Sequence, residues 1–270
     1  MSRISSLFSV LKHRGSGAFV PYICAGDPSL SFSERLGKTL IEAGADMIEI
    51  GIPFSDPIAD GPIIQGAMKR SLSRGFKTDH LFQLVNRLRG VAEDRPIIVM
   101  SYMNPIFRYG IQRFCESVFS AGTDGLLIVD LPLEESVVID DIAKSVGLEM
   151  IRIVSSSSSM DRIAEIVHAS SGFIYMVSVP GVTGPKRRFP RSAFTFLKLI
   201  KSHTNLPVLL GFGVSNPQQA RMAVLSGAEG VVEGSHIIEI YTSNDDTEEA
   251  LRSIANHVCE MKMAMMLSQY

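Results

Sequence analysis

The sequence predicts an α/β fold, a single (β/α)8 barrel over residues 1–270, and three observations carry that expectation. Eight short β-rich runs alternate with stretches of helical period from one end of the chain to the other. A glycine followed two residues later by an acid recurs where a helix gives way to a strand, at Gly44-Ala45-Asp46, Gly122-Thr123-Asp124 and Gly227-Ala228-Glu229; the glycine is the expected left-handed helix stop. The third is size: 270 residues, 46% of them hydrophobic, with no linker-like stretch, suit one barrel with a large core.

Ile4, Leu7, Phe8 and Leu11 fall at i, i+3, i+4 and i+7 and predict an extra amphipathic helix ahead of the barrel. Residues 1–26 contain no acid, as organellar transit segments do, but the direct passage through Gly15-Ser16-Gly17 into an apolar run favours the helix. Strands are expected at 18–24, 47–51, 97–102, 125–130, 149–154, 173–177, 207–212 and 230–233. Asp79 is the expected N-cap of a helix carrying Leu81, Leu84, Val85 and Leu88, and Asn216-Pro217 is a cap-then-proline start of another. The serine run 155–159 reads as a polar loop into a capped helix, and His236 to Tyr241 as a short extra helix after the eighth strand. Met263, Met265 and Met266 in the last helix read as core filler. A doubly wound open sheet is the structural alternative. Gly211-Phe212-Gly213 lacks the third glycine and the ribose-binding acid of a dinucleotide fingerprint, which argues against a Rossmann cofactor.

Composition narrows the function classes. With 26 basic and 28 acidic residues mixed along the chain, net charge −2, nothing favours nucleic acid or an anionic membrane as partner. Cys24, Cys115 and Cys259 are far apart and show no metal or disulfide spacing. The six histidines include no i, i+4 pair, so no metal is assigned. No apolar run reaches the roughly 18 residues of a membrane span, and a cytoplasmic protein is expected.

The stretch 49–65, EIGIPFSDPIADGPIIQ, is the richest in chemistry. Glu49 lies inside an apolar strand, where loss of water raises a carboxyl pKa and makes it a candidate proton shuttle. Asp60 follows Pro53 and Pro57 and precedes Gly61-Pro62, and such proline density fixes the loop that carries it. Barrel active sites sit on the loops after the strands, and both acids fall on that side. Glycine-bearing loops also follow the seventh and eighth strands, at Gly213 and at Gly234-Ser235. Free backbone N–H groups at such places hold an anion, so they are candidate phosphate-binding residues. Tyr175, near the end of the sixth strand, can offer a hydroxyl to the mouth, and 181–190 (GVTGPKRRFP) is a candidate lid.

The block 49–65, Tyr175, the Gly181-Val182-Thr183-Gly184 run, and the Gly213 and Gly234-Ser235 loops closely resemble the tryptophan synthase alpha chain. The resemblance runs through nearly the whole chain, including PYICAGDP at 21–28 and Tyr102-Met103-Asn104-Pro105. It implies a lyase that cleaves indole-3-glycerol phosphate into indole and glyceraldehyde 3-phosphate. Glu49, Asp60 and Tyr175 would be catalytic, and Tyr22, Met100, Tyr102, Leu127, Thr183 and Phe212 would meet the substrate. Gly184, Gly213, Gly234 and Ser235 would hold the phosphate, and Thr183 would bond Asp60 when the lid closes. The resemblance implies no metal or organic cofactor in this chain. It also implies a pyridoxal-phosphate beta chain as partner in an α2β2 heterotetramer, across a surface including Pro53, Asp56, Pro57, Asn104 and Pro132. Tyr22 stands where the family usually has Phe, Cys24 where Thr is usual and Ile63 where Thr often follows, while Pro180 adds stiffness before the lid. Two rival functions remain at this stage: another barrel enzyme acting on a phosphorylated intermediate, such as an isomerase, and a non-catalytic barrel that activates the beta chain.

Overall fold

A computed structural model describes residues 1–177, 191–211 and 213–266. The chain begins with α1 (Arg3–Arg14), β1 (Ala18–Cys24), α2 (Leu30–Glu42), β2 (Ile48–Gly51), α3 (Pro62–Ser73), α4 (Thr78–Ala92) and β3 (Ile97–Ser101). It continues with α5 (Met103–Tyr109), α6 (Ile111–Ala121), β4 (Gly125–Ile128), α7 (Val137–Val146), β5 (Glu149–Ser155), α8 (Met160–His168) and β6 (Ile174–Val177). Last come α9 (Arg191–Lys201), β7 (Val208–Gly211), α10 (Pro217–Leu225), β8 (Gly230–Glu233), α11 (Ser235–Thr242) and α12 (Thr247–Met265). The eight strands are parallel and close in sequence order, β8 pairing with β1, which is the (β/α)8 barrel the sequence predicts.

The strands are predominantly apolar because each faces the barrel interior on one side and helices on the other. Seven of the eight are buried at every position, and the exceptions to full burial fall on β5. The expected strand at 18–24 matches β1 and that at 230–233 matches β8; the others differ at their ends by one or two residues. Phe212, at the end of the expected seventh strand, lies outside the described residues.

The N-terminal helix forms as its periodicity predicts. Ile4, Phe8 and Leu11 are buried, the Phe8 ring packs 6.3 Å from Phe173 just ahead of β6, and Arg3 pairs with Asp124 just ahead of β4 at 2.9 Å. The helix thus covers the end of the barrel at which the strands begin.

The Gly-x-acid echo has a structural meaning at that same end. Asp46, just before β2, accepts the Phe19 N–H of β1 at 2.7 Å; Asp124, before β4, accepts the Ile97 N–H of β3 at 2.8 Å; Glu229, before β8, accepts the Val208 N–H of β7 at 2.9 Å. Ser171, ahead of β6, does the same for the Met150 N–H of β5 at 2.7 Å. Each acid also meets a cation, Lys262, Arg89 and Lys201 respectively. One side chain therefore satisfies the first free donor of every odd-numbered strand, a fourfold repeat of a two-strand unit.

Two expectations are corrected. Asp79 sits in the first turn of α4 and Lys77 takes the N-cap position, so Asp79 meets the helix dipole rather than capping it. Of the three methionines, only Met265 is core; Met263 and Met266 are 63% and 55% exposed. The buried face of α12 runs Leu251, Ile254, Val258, Met261 and Met265, and the 3.6-residue period turns Met263 away from it. The serine run behaves as expected, with Ser159 capping α8 by accepting the Arg162 N–H. Among the described residues, no helix is long and apolar enough to cross a membrane.

Candidate active site

The side chains that matter are set by strand register. Tyr22 of β1 lies opposite Glu49 of β2, and both point into the barrel at the end where the strands finish. There they wall a cavity together with Asp60, Ile64, Met100, Tyr175, the Gly213-Val214-Ser215 loop, Val232 and Gly234-Ser235-His236. Two glycines make room for the aromatic walls. A Cβ on Gly51 would lie 2.1 Å from the Tyr22 hydroxyl, and one on Gly211 would lie 1.8 Å from the Tyr175 ring. Both strands end in glycine because a neighbouring ring occupies the side-chain position.

Glu49 is 2% exposed and Asp60 1%. Burial is the main cause that raises the Glu49 pKa to about 8, and the nearby Asp60 charge adds to it. Burial also raises Asp60, to about 6, against a hydrogen bond from Tyr102 that favours the carboxylate. At neutral pH the two acids are therefore unlike: Glu49 keeps its proton and Asp60 has mostly lost its own. This separation is the pattern by which one site holds both an acid and a base.

The Asp60 loop is held as the prolines predict, with added anchors. Tyr102 donates to Asp60 Oδ2 at 2.7 Å and accepts the Ala59 N–H at 3.1 Å. Gln65 of α3 donates to the Asp60 carbonyl at 2.8 Å, and the Asp60 N–H returns to the Pro57 carbonyl at 3.1 Å. Tyr102, expected at the substrate, is fully buried and serves to hold Asp60; the Phe54 ring packs 5.2 Å from it.

At the opposite side of the cavity, β8 ends at Glu233 and α11 starts at Ser235, so the first backbone N–H groups of that helix open toward the Gly213 loop. Gly213 has φ +85°, a conformation that glycine adopts freely. Among the described lining residues there is no Lys or Arg. The polar groups this wall offers are backbone N–H groups and the side chains of Ser215, Ser235 and His236.

Of the expected site residues, the structure brings Glu49, Asp60, Tyr175, Tyr22, Met100, Gly213, Gly234 and Ser235 to one cavity. Leu127, in register with Met100, packs in the barrel core and is not on the cavity wall. Thr183, Gly184 and Phe212, with the whole expected lid, lie outside the described residues. Sequence reasoning missed Ile64, Val214, Val232, His236 and the buried Asp27. Asp27 accepts Nε and Nη2 of Arg70 on α3 at 2.8 and 2.7 Å and the Tyr241 hydroxyl of α11. It thereby ties the helix after the Asp60 loop to the helix after β8, a three-element contact that no local motif announces. Of the expected partner surface, Asp56, Asn104 and Pro132 are exposed and Pro57 half-buried, but Pro53 is buried and so stiffens its loop from within.

A sequence model of the tryptophan synthase alpha chain matches residues 8–266. The tryptophan synthase alpha chain of Picosynechococcus sp. is 46% identical over 239 residues, 88% of this chain and 90% of that one. Its counterpart in Methanoregula boonei is 39% identical and covers 98% of both chains. A crystal structure of tryptophan synthase subunit alpha from Legionella pneumophila superposes with a TM-score of 0.89 at 33% identity, covering 98% of each chain. The barrel, the pair of buried acids and these likenesses agree, and the chain belongs to the tryptophan synthase alpha chain family.

Proposed function

We propose that Glu49 and Asp60 divide the proton chemistry of the lyase reaction of this family, the cleavage of indole-3-glycerol phosphate into indole and glyceraldehyde 3-phosphate. Glu49 starts protonated and gives its proton to the indole carbon that bears the glycerol chain. Asp60 starts as a carboxylate, accepts the indole N–H and stabilises the positive charge that appears on the ring. The carboxylate left on Glu49 then takes the proton of the hydroxyl next to the breaking bond. The bond electrons return to the ring, indole leaves, and the hydroxyl-bearing carbon becomes the aldehyde of glyceraldehyde 3-phosphate. The proton count closes on Glu49, which ends as it began.

The observation that carries this assignment is the split between two buried acids on one cavity, about 8 for Glu49 and about 6 for Asp60. The order of steps needs the first to be an acid and the second a base at neutral pH, which is the order of their pKa values. Tyr22, Met100 and Tyr175 wall the cavity for the indole and glycerol parts, and Gly213, Gly234 and Ser235, with Gly184 from the lid, take the phosphate. Thr183 would bond Asp60 on closure. The carboxylate chemistry calls for neither a metal nor an organic cofactor.

Membership of the family implies a beta-chain partner. We place this chain in an α2β2 heterotetramer in the cytoplasm, with pyridoxal phosphate bound by the beta chain. Asp56 and Pro57 stand on the loop after β2, Asn104 on α5 directly after β3, and Pro132 on the loop after β4. The neighbouring Ile58, 79% exposed on the loop after β2, and Phe107, 69% exposed on α5, supply apolar surface beside them. Indole release by wild type, Glu49→Gln and Asp60→Asn, with and without beta chain, tests the assignment. Each variant is expected to lose on the order of 10² to 10⁴ in rate, and near-wild-type release by both would overturn it.

A further inference from the structure

Three donors outside the proton chemistry converge where β8, α11 and α12 meet. One ligand atom each from Glu233, His236 and His257 lies within 4.8 Å of the other two. His257 Nε2 stands 2.8 and 3.0 Å from the two Glu233 carboxylate oxygens. The His236 ring lies 4.9 Å from the His257 ring at 71°. The Glu233 side chain is wholly buried, and those of His257 and His236 are 11% and 31% exposed.

We propose that Glu233, His236 and His257 form a binding site for one divalent transition-metal ion, Zn²⁺ fitting best. Two imidazole nitrogens and one carboxylate oxygen are a zinc donor set, and three protein ligands leave a fourth position for water or another ligand. A plain ion pair accounts for Glu233 and His257 but not for a second imidazole set edge-on against the first from another helix. His236 has the companion that a metal-binding imidazole needs. Its Nδ1 lies 3.4 Å from Glu239 Oε2 one turn along α11, which orients the ring and leaves Nε2 for the ion.

Zinc bonds of about 2.0 to 2.1 Å place tetrahedral donors roughly 3.3 Å apart. The Glu233–His257 pair is near that spacing, and His236, half-exposed, needs to close by on the order of 1 Å. The residue spacing of 3 and then 21 positions is the reason no local histidine motif reveals the site. His236 also lines the active-site cavity, so a bound ion sits beside the Gly234-Ser235 loop. The site does not depend on the roles given to Glu49 and Asp60.

The test is a titration of the full, untagged, chelator-treated chain with Zn²⁺ by calorimetry and with Co²⁺ by visible absorption. One ion per chain is expected, with the intense visible bands of a low-coordinate Co²⁺ site. His236→Gln should weaken Zn²⁺ binding by about 10-fold or more, and His257→Gln likewise, while His203→Gln leaves it unchanged. His257→Gln orphans a buried carboxylate and can fail to fold; His236→Gln, on a half-exposed residue, keeps the test decisive. Absence of saturable 1:1 binding, or wild-type affinity in His236→Gln, would overturn the proposal.

Discussion

Replacing Glu49 by Gln separates the chemistry of its carboxyl from the cost of burying it. Burial first, and the Asp60 charge second, raise the Glu49 pKa from 4.5 to about 8. The native state thus holds this proton more tightly than the unfolded chain does. With the folded pKa above the unfolded one, the stability tied to the proton is fully present below pH 4.5 and is lost as pH rises through about 8. At 1.36 kcal/mol per unit the shift corresponds to roughly 4 to 5 kcal/mol, a large share of the 5 to 15 kcal/mol that holds a typical domain folded. Gln does not titrate. Its amide, if left unpaired, costs about 1 to 3 kcal/mol, but by the same amount at every pH. Asp60 titrates in both proteins and largely cancels. Urea unfolding of wild type and Glu49→Gln at pH 5, 6.5 and 8 should therefore show the variant gaining on wild type by several kcal/mol as pH rises, while its indole release stays low throughout. A stability difference that does not change with pH would refute a desolvated, protonated Glu49 and the acid role built on it.

Tyr102→Phe removes the 2.7 Å bond to Asp60; since that bond lowers the Asp60 pKa, the pKa should move above about 6. The acid limb of the kcat/KM profile should shift to higher pH by about one unit for a bond worth roughly 1.5 kcal/mol, a loss of about 4-fold at pH 6.5 that approaches about 10-fold below pH 5; an unmoved limb would count against Asp60 as the base. Gly211→Ala drives a Cβ into the Tyr175 ring and should cost about 1 to 3 kcal/mol by urea unfolding. Adding Tyr175→Leu should recover most of that stability but not the activity, and additive losses would contradict the contact. Ile58→Asp and Phe107→Asp should each weaken binding of the beta chain by about 10-fold, roughly 1.4 kcal/mol, and Asp56→Ala should weaken its activation. Unchanged titration curves would place the interface elsewhere.

The architecture was legible because closed parallel barrels leave a coarse trace: buried strands read as continuous apolar runs, and helix-ending glycines punctuate them. Glu49 was legible for a related reason, since a carboxylate inside an apolar strand has no structural role that water can support, and Asp60 was legible from the prolines that fix its loop. Other parts of the site left no such trace. Tyr102 reads as a substrate contact until the three-dimensional loop brings its hydroxyl to Asp60, 42 residues away. Asp27 gathers Arg70 and Tyr241 from positions 43 and 214 residues distant, and neither spacing has a period. Pro53 was expected at the surface only through the family resemblance, and its burial comes from packing that no local motif displays.

The echo at the strand beginnings draws the two kinds of legibility together. Three of its four members were visible as Gly-x-acid, whereas the fourth uses Ser171, with Gly172 after it instead of before. What the fold requires at these places is an acceptor for the first N–H of each odd strand, and a serine oxygen meets that need as well as a carboxylate does. The chemical requirement repeats four times while the residue type repeats three, so a search for the acceptor, rather than for the acid, recovers the full repeat. The same logic applies at the other end of the barrel. There the proposed mechanism requires one protonated and one ionised carboxyl on a single cavity; both acids are buried, and Asp60 receives a hydroxyl donor from Tyr102.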